Sequence, residues 1–343
     1  MLTIAYMTNR KDPLIKWFFD SLRNELPTGQ EDTVKLLVVD YWAQVVDGWT
    51  EEDVERRKAE FASLSPFKLS HVAPKPSVWQ GPHRLTQSNF FAASSARNTA
   101  ICLAESEYIV FIDDLAVLMP GWLSEIKVAT QGGWAACGSY VKPEGMVVRE
   151  GCLKLVKGVS DEQSFTSETL RDALDIHRPT GIDSRLKHSA VRSWEPVEAG
   201  GSWLYGCSCL LPVEALLEIE GFDEDIDPMG GEDYCAGILM ERLGVKFKYH
   251  PRMMSAESEE GHSKDKRFLR QIKGAFSSAD ASIRMLRWVM DSKRLKGANY
   301  WGDGGLRALR EKVLNGDKFP VMTIPEHDWR DGQLLREMKD EGL

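Results

Sequence analysis

Cysteine is scarce, with six in 343 residues. None sits in a C-x-x-C pair, and the number is too low for a disulfide scaffold. Cys207 and Cys209 alternate, as same-face residues of one strand do. All six are expected to be reduced and mostly buried, behaving as small apolar groups, which points to a cytoplasmic chain. No apolar run approaches the roughly 18 residues of a membrane span. The start, Met1 to Arg10, lacks the basic-then-apolar order of a signal peptide and reads as a first β-strand. Positive charge is in deficit as well: 43 Lys and Arg against 52 Asp and Glu give a formal charge of −9. That sign removes long-range attraction to phosphate polymers and anionic membranes. Heptad, collagen-like and solenoid repeats are absent. So are a G-x-G-x-x-G after the first strand and a Walker G-x-x-x-x-G-K-S/T, which argues against a dinucleotide fold and a P-loop.

What is present is an ordinary globular composition, 43% hydrophobic and 28% charged. Leu2 to Met7 is apolar enough for a buried strand, and a polar Thr-Asn-Arg-Lys-Asp-Pro turn follows. Leu14, Trp17, Phe18, Leu22 and Leu26 recur at helical spacing. Val34 to Val39 is a second strand, closed by Asp40, and the order strand, helix, strand reads as a β-α-β unit. A charged helix is expected over Glu51 to Ser63 and a short strand over Phe67 to Val72. Ala73 to Asn89 holds Pro74, Pro76, Gly81 and Pro82 and reads as a loop. Ser94 or Ser95 is placed to cap a helix running to about Glu105. Tyr108 to Ile112 is a buried strand with Asp113 and Asp114 at its end. Pro120-Gly121-Trp122 then turns the chain into a helix, and Ala135 to Tyr140 is a further strand. The stretch from Pro143 to Glu198 is mixed and polar, an insertion. Gly200 to Leu211 returns to strand character, followed by a helix over Pro212 to Glu220. An acidic, turn-rich loop then leads into a helix from Glu232 to Leu243, with Gly244 as its C-terminal stop. Val245 to Tyr249 reads as the last strand, and beyond Pro251 the chain is expected to be helical and charged. The division expected is a main domain over 1–265, with its insertion at 143–198, and a helical appendage over 266–343.

Open α/β sheets bind ligands at the C-terminal ends of their strands. Thr8-Asn9-Arg10, Asp40 and Asp113-Asp114 all fall there. Carboxylates at such ends hold hard cations or hydrogen-bond a base or ribose, and arginine pairs with a diphosphate. The set fits a nucleotide-diphosphate site.

Four pieces in this order carry a resemblance: Tyr-Met-Thr-Asn-Arg after the first strand, Leu-Val-Val-Asp40, Ser-Ala-Arg97-Asn98-Thr-Ala-Ile with Tyr-Ile-Val-Phe-Ile-Asp113-Asp114, and Gly-Phe-Asp-Glu leading to Gly230-Gly231-Glu232-Asp233-Tyr. The chain resembles the GT-A glycosyltransferases of family 2 and their polypeptide N-acetylgalactosaminyltransferase-type relatives, over roughly Leu2 to Tyr249. The resemblance implies a GT-A fold, a Rossmann-like α/β architecture with a mostly parallel sheet flanked by helices. It implies that Thr8, Arg10 and Asp40 hold the nucleobase, that Arg97 reaches the nucleotide or its phosphates, and that Asp113 holds a ribose hydroxyl. It also implies a divalent cation, Mn2+ or Mg2+, bridging the diphosphate of a UDP-sugar donor. Asp114 is its first ligand. Leu115 stands where relatives carry the residue most directly tied to the metal, a departure that leaves transfer without a metal open as the alternative. Among His250, Glu257 and His262, His262 is the preferred second ligand.

Paired glycines, Gly230 and Gly231, let the backbone pass close to the sugar and enter a helix whose first turn keeps carboxylates ionised. By resemblance Asp233 is the general base of an inverting transfer, and Glu232 orients donor sugar or acceptor. Trp203 is placed to stack on a sugar or an acceptor ring, or equally to pack in the core. The acceptor is a saccharide, a protein hydroxyl or a hydroxymethylated nucleic-acid base. The last would use the basic run from Lys264 to Lys296. Three alternatives stay open: retention of configuration, as in relatives that include enzymes acting on phage DNA bases, a non-catalytic nucleotide-sugar-binding module, and a nucleotidyltransferase. The Thr-Asn-Arg-Lys-Asp-Pro loop, in place of a glycine-rich basic one, weighs against the last.

Overall fold

The computed structural model describes residues 1–77, 92–155, 165–177, 181–191, 193–224, 231–264 and 304–319. Its centre is a nine-stranded sheet. Strands β1 (Leu2–Thr8), β2 (Val34–Asp40), β3 (Leu69–Val72) and β4 (Tyr108–Asp113) pair in the order β3-β2-β1-β4, all parallel. The order continues through β10 (Ser208–Pro212), β6 (Ala135–Val141), β11 (Phe247–Glu257) and β5 (Ala116–Leu118), with β9 (Val197–Ala199) also on β11. β10 is antiparallel to both β4 and β6, so β6 runs the same way as β4. β11 is parallel to β6. A small hairpin of β7 (Met146–Arg149) and β8 (Cys152–Leu155) forms a second sheet.

Helices cover both faces. The β1 side chains alternate between two cores: Ala5 and Met7 lie in one, Ile4 and Tyr6 in the other. Helix α1 (Ile15–Glu25) buries Phe18, Phe19 and Leu22 against the second. Helix α3 (Ala93–Leu103) buries Ala96, Ala100 and Ile101 in the first. α2 (Glu51–Leu64) opens with a capping box between Thr50 and Asp53, two orphan N–H groups satisfied reciprocally. α4 (Trp122–Gly132), α5 (Ser167–His177), α6 (Val213–Glu218), α7 (Glu232–Arg242) and α8 (Glu259–Lys264) follow. No described helix is long and apolar enough to cross a membrane.

Several expectations are corrected. Helix α3 starts on Ala92 with no side-chain cap. Ser94 and Ser95 lie inside its first turn, where their hydroxyls donate to the carbonyls of Asp223 and Lys75 instead. The strand expected over Gly200 to Leu211 begins at Ser208, because Gly201–Trp203 closes into a 3-10 turn against α7. The last strand does not stop at Tyr249. It runs to Glu257, with its ladder shifted between His250 and Met254. Pro251 has no N–H to give the ladder, and that irregularity is where a strand accommodates it. A helix α9 (Gly305–Leu314), within the expected appendage, packs on α3 and puts Leu306 and Leu309 into the main core.

Candidate active site

The C-terminal ends of β1, β2, β4, β6 and β11 share one edge of the sheet. β10 runs against them, so the residues just before it reach the same edge from the opposite direction. Three polar clusters occupy this edge.

The first is built around Asp114. Its Oδ2 accepts from Thr8 Oγ1 at 2.7 Å and its Oδ1 from Arg10 Nε at 3.0 Å. Arg10 Nη1 also donates to the carbonyl of Gly261 at 3.1 Å, fastening α8 to the first loop. The residue after Asp114, Leu115, has φ +61° and is fully buried.

The second is built around Asp40, which is inaccessible to solvent. Its carboxylate accepts from the Trp42 N–H at 3.0 Å, from Arg57 through Nη2 at 3.2 Å and through Nε, and faces His71 Nε2 at 2.8 Å. Arg57 then donates to the carbonyls of Lys11 and Arg10 at 2.7 and 2.6 Å. Asp40 therefore acts on the first loop through Arg57. Arg57 lies within α2, away from any strand end, and His71 sits near the end of the short β3 with no acidic or glycine-rich neighbour to mark it.

The third joins both ends of the expected chemistry. Arg97, on α3 and 4% exposed, pairs with Glu232 through Nη1 and lies 3.5 Å from Asp113 through Nη2. Its guanidinium sits over the Phe222 ring at 5.3 Å. Its buried Nε has no hydrogen-bond partner among the described residues. Burial alone would lower its pKa, but the charges of Glu232, Asp113 and Asp233 more than offset that and hold it cationic. Helix α7 opens on Gly231, whose φ of +89° is in the left-handed region open to glycine. That start sets Glu232 and Asp233 in the first turn. Asp233 Oδ2 accepts from the Gly206 N–H at 2.8 Å, and Oδ1 from the Tyr234 N–H at 2.7 Å.

Burial and the neighbouring Glu232 charge push the Asp233 carboxyl up to about 6, against the pull of Arg97 and the two N–H donors. Burial also raises Asp113 to about 6, Arg97 opposes the shift, and Glu257 and Asp114 add to it. With its side chain 39% exposed, water relieves part of that push. Glu257, at the end of β11, pairs with Lys142 at 3.2 Å.

Of the residues singled out in the sequence, Thr8, Arg10 and Asp114 come together, as do Arg97, Asp113, Glu232 and Asp233. Trp203 packs edge-on to His188 and Tyr249, at 5.2 and 5.4 Å between ring centroids. His250 is buried against Glu125 at 2.9 Å, in contact with α4. Gly230, the side chain of His262 and the side chains of the Lys264–Lys296 run lie outside the described residues. Gly206 and Lys142 were not foreseen, since nothing in their local sequence distinguishes them.

The donor set does not fit a metal centre among the described residues. No three His, Cys, Asp or Glu groups are gathered to hold one. Leu115, next to Asp114, offers no donor atom.

No protein-family model matches the chain, and no curated protein does either. Among solved structures it is similar to the mannosyltransferase PcManGT from Pyrobaculum calidifontis in complex with GDP-Man and Mn2+. There the identity is 17%, the match covers 92% of this chain and 76% of that one, and the TM-score is 0.48. It is similar to GalNAc-T7 with UDP, GalNAc and Mn2+ at 11% identity, covering 94% of this chain and 59% of that one, with TM-score 0.47. For S. aureus TarS the values are 13%, 84%, 43% and 0.43.

Proposed function

We propose that this chain is a glycosyltransferase that moves a sugar from a nucleotide-diphosphate sugar, a UDP-sugar in the first instance, to an acceptor hydroxyl, inverting the anomeric carbon. One observation carries the reading. Arg97 spans from Asp113, at the strand end where a nucleotide would lie, to Glu232, and Asp233 stands next to Glu232. Donor-side charge and a carboxylate of near-neutral pKa are thereby set side by side.

In this reading Thr8 and Arg10 line the base and ribose end, with Asp40 and Arg57 holding their loop in place. Asp113 accepts from a ribose hydroxyl. Arg97, held beside Asp113, supplies the positive charge that faces the diphosphate. Glu232 orients the sugar. Asp233 takes the proton from the acceptor oxygen, which forms a bond to the anomeric carbon. The bond from that carbon to the phosphate oxygen breaks, and its electron pair leaves on the nucleoside diphosphate. A base with pKa near 6 is ionised at neutral pH yet basic enough to accept a proton. No step is routed through a divalent cation, since the described donor set does not compose its site. A saccharide, a protein hydroxyl and a modified nucleic-acid base remain the acceptor classes to test.

The test is a thermal-shift screen of UDP-, GDP- and other nucleotide sugars, each with Mn2+ and with EDTA, followed by turnover of any stabilising compound. Stabilisation by one nucleotide sugar, and a product of opposite anomeric configuration by nuclear magnetic resonance, support the proposal. A product of unchanged configuration removes inversion and the base role of Asp233. No stabilisation by any nucleotide sugar removes the transferase reading.

A further inference from the structure

Gly206 lies in the turn before β10 and is buried. Its φ is outside the left-handed region, so its backbone conformation is open to any residue. What it lacks is volume to spare. A Cβ added there would stand 1.9 Å from Arg97 Nη2, 2.6 Å from Cζ and 3.0 Å from Nε. The space that a side chain would take is filled by the guanidinium. Arg97 cannot simply swing away, because Glu232, Asp113 and the Phe222 ring surround it. The same residue gives its N–H to Asp233.

We propose that Gly206 is a positioning residue: the absence of a side chain there seats the Arg97 guanidinium between Glu232 and Asp113, while its N–H fixes the Asp233 carboxylate on the other side. It would act on the donor through Arg97 and on the base through one hydrogen bond, touching no substrate itself. The inference rests on the transferase reading for its consequence in donor binding, and on packing alone for its consequence in stability.

A double-mutant cycle tests it, with Gly206→Ala, Arg97→Ala and the double variant compared with the wild type. Uridine diphosphate is the probe, measured by calorimetry, and each variant is also melted thermally. Gly206→Ala is expected to lower the melting temperature and to weaken uridine diphosphate about tenfold or more by misplacing a charge-assisted contact. In the Arg97→Ala background, where the space is vacated, Gly206→Ala is expected to change neither. Equal losses in both backgrounds mean that Gly206 serves the turn and not Arg97, and overturn the proposal. So does the absence of any loss in the single variant. If Gly206→Ala fails to fold, recovery of the fold in the double variant supports the spatial claim and its failure refutes it. Should the wild type not bind uridine diphosphate, the choice of a UDP-sugar donor falls and the melting cycle alone decides the role of Gly206.

Discussion

Replacing Asp233 by asparagine should separate catalysis from stability, with a sign that reverses with pH. The folded carboxyl titrates at about 6 against an ordinary value of 3.8. The folded state therefore holds this proton more tightly than the unfolded chain. Stability from this group is greatest below 3.8, declines as pH rises toward about 6, and stays at its low level above. The interval corresponds to about 3 kcal/mol at about 1.4 kcal/mol per pH unit. Asparagine removes that penalty but has only one acceptor oxygen. One of the two N–H donors, from Gly206 or Tyr234, must then lose its partner. That loss costs about 1 kcal/mol. The balance is a gain of about 2 kcal/mol at pH 7.5 and a loss of about 1 kcal/mol near pH 3.5. Urea unfolding at several pH values measures both limbs. Transfer should meanwhile fall by about 100- to 10,000-fold with donor affinity little changed. A variant less stable than the wild type at pH 7.5 would refute the claim that burial of this carboxylate is a cost the fold bears for function.

The pH dependence of turnover should show an acidic limb near pH 6, rising as Asp233 loses its proton, and its absence in initial-rate profiles would detach Asp233 from the rate. Arg57→Met should destabilise by about 3 kcal/mol, because it takes the arginine from the Asp40 carboxylate, which has no access to solvent and keeps only the Trp42 N–H and His71 as partners among the described residues. Its effect on nucleotide affinity should come through the released carbonyls of Arg10 and Lys11, and calorimetry checks that. Lys75→Met should cost about 3 kcal/mol by leaving Glu224 buried without its ammonium partner, and Lys75→Met with Glu224→Gln should recover part of that loss in the same unfolding assay.

The parallel half of the sheet was legible because its strands are buried on both faces and read as continuous apolar runs. Leu2 to Met7, Val34 to Val39 and Tyr108 to Ile112 fall on β1, β2 and β4, with Asp40 and Asp113 at the ends of the last two. The rest failed for specific reasons. β5, Ala116 to Leu118, is too short to separate from the turn into α4. The continuation of β11 past Pro251 was hidden because a proline normally marks a strand's end, whereas here the ladder shifts around it. Ser94 and Ser95 look like caps, but their hydroxyls serve the carbonyls of neighbouring loops. In the site, the acidic motifs were legible individually and their partners were not. Arg57, His71, Lys142 and Gly206 lie far along the chain from the carboxylates they meet, and only the topology brings them there.

That topology gives the site its logic. Had β10 run parallel to β4 and β6, the turn before it would lie at the opposite edge of the sheet, away from Arg97 and Asp233. Because it runs antiparallel, its register sets Cys209 opposite Phe111 on β4 and Cys137 on β6. Two residues earlier in that alternation the chain stands beside Asp113, and one more residue back is Gly206. The reversed strand thus delivers a backbone N–H to Asp233 and an empty space to Arg97 at the same point. Glu232 belongs to the same device. It holds Arg97 from one side while Asp113 lies at the other, so neither carboxylate can change its charge without altering the other's field. A diphosphate beside Asp113 would bring negative charge close to Arg97 and offset part of the positive field that Arg97 exerts at Asp233. The Asp233 carboxylate would then become more basic upon donor binding, when the acceptor proton has to be removed.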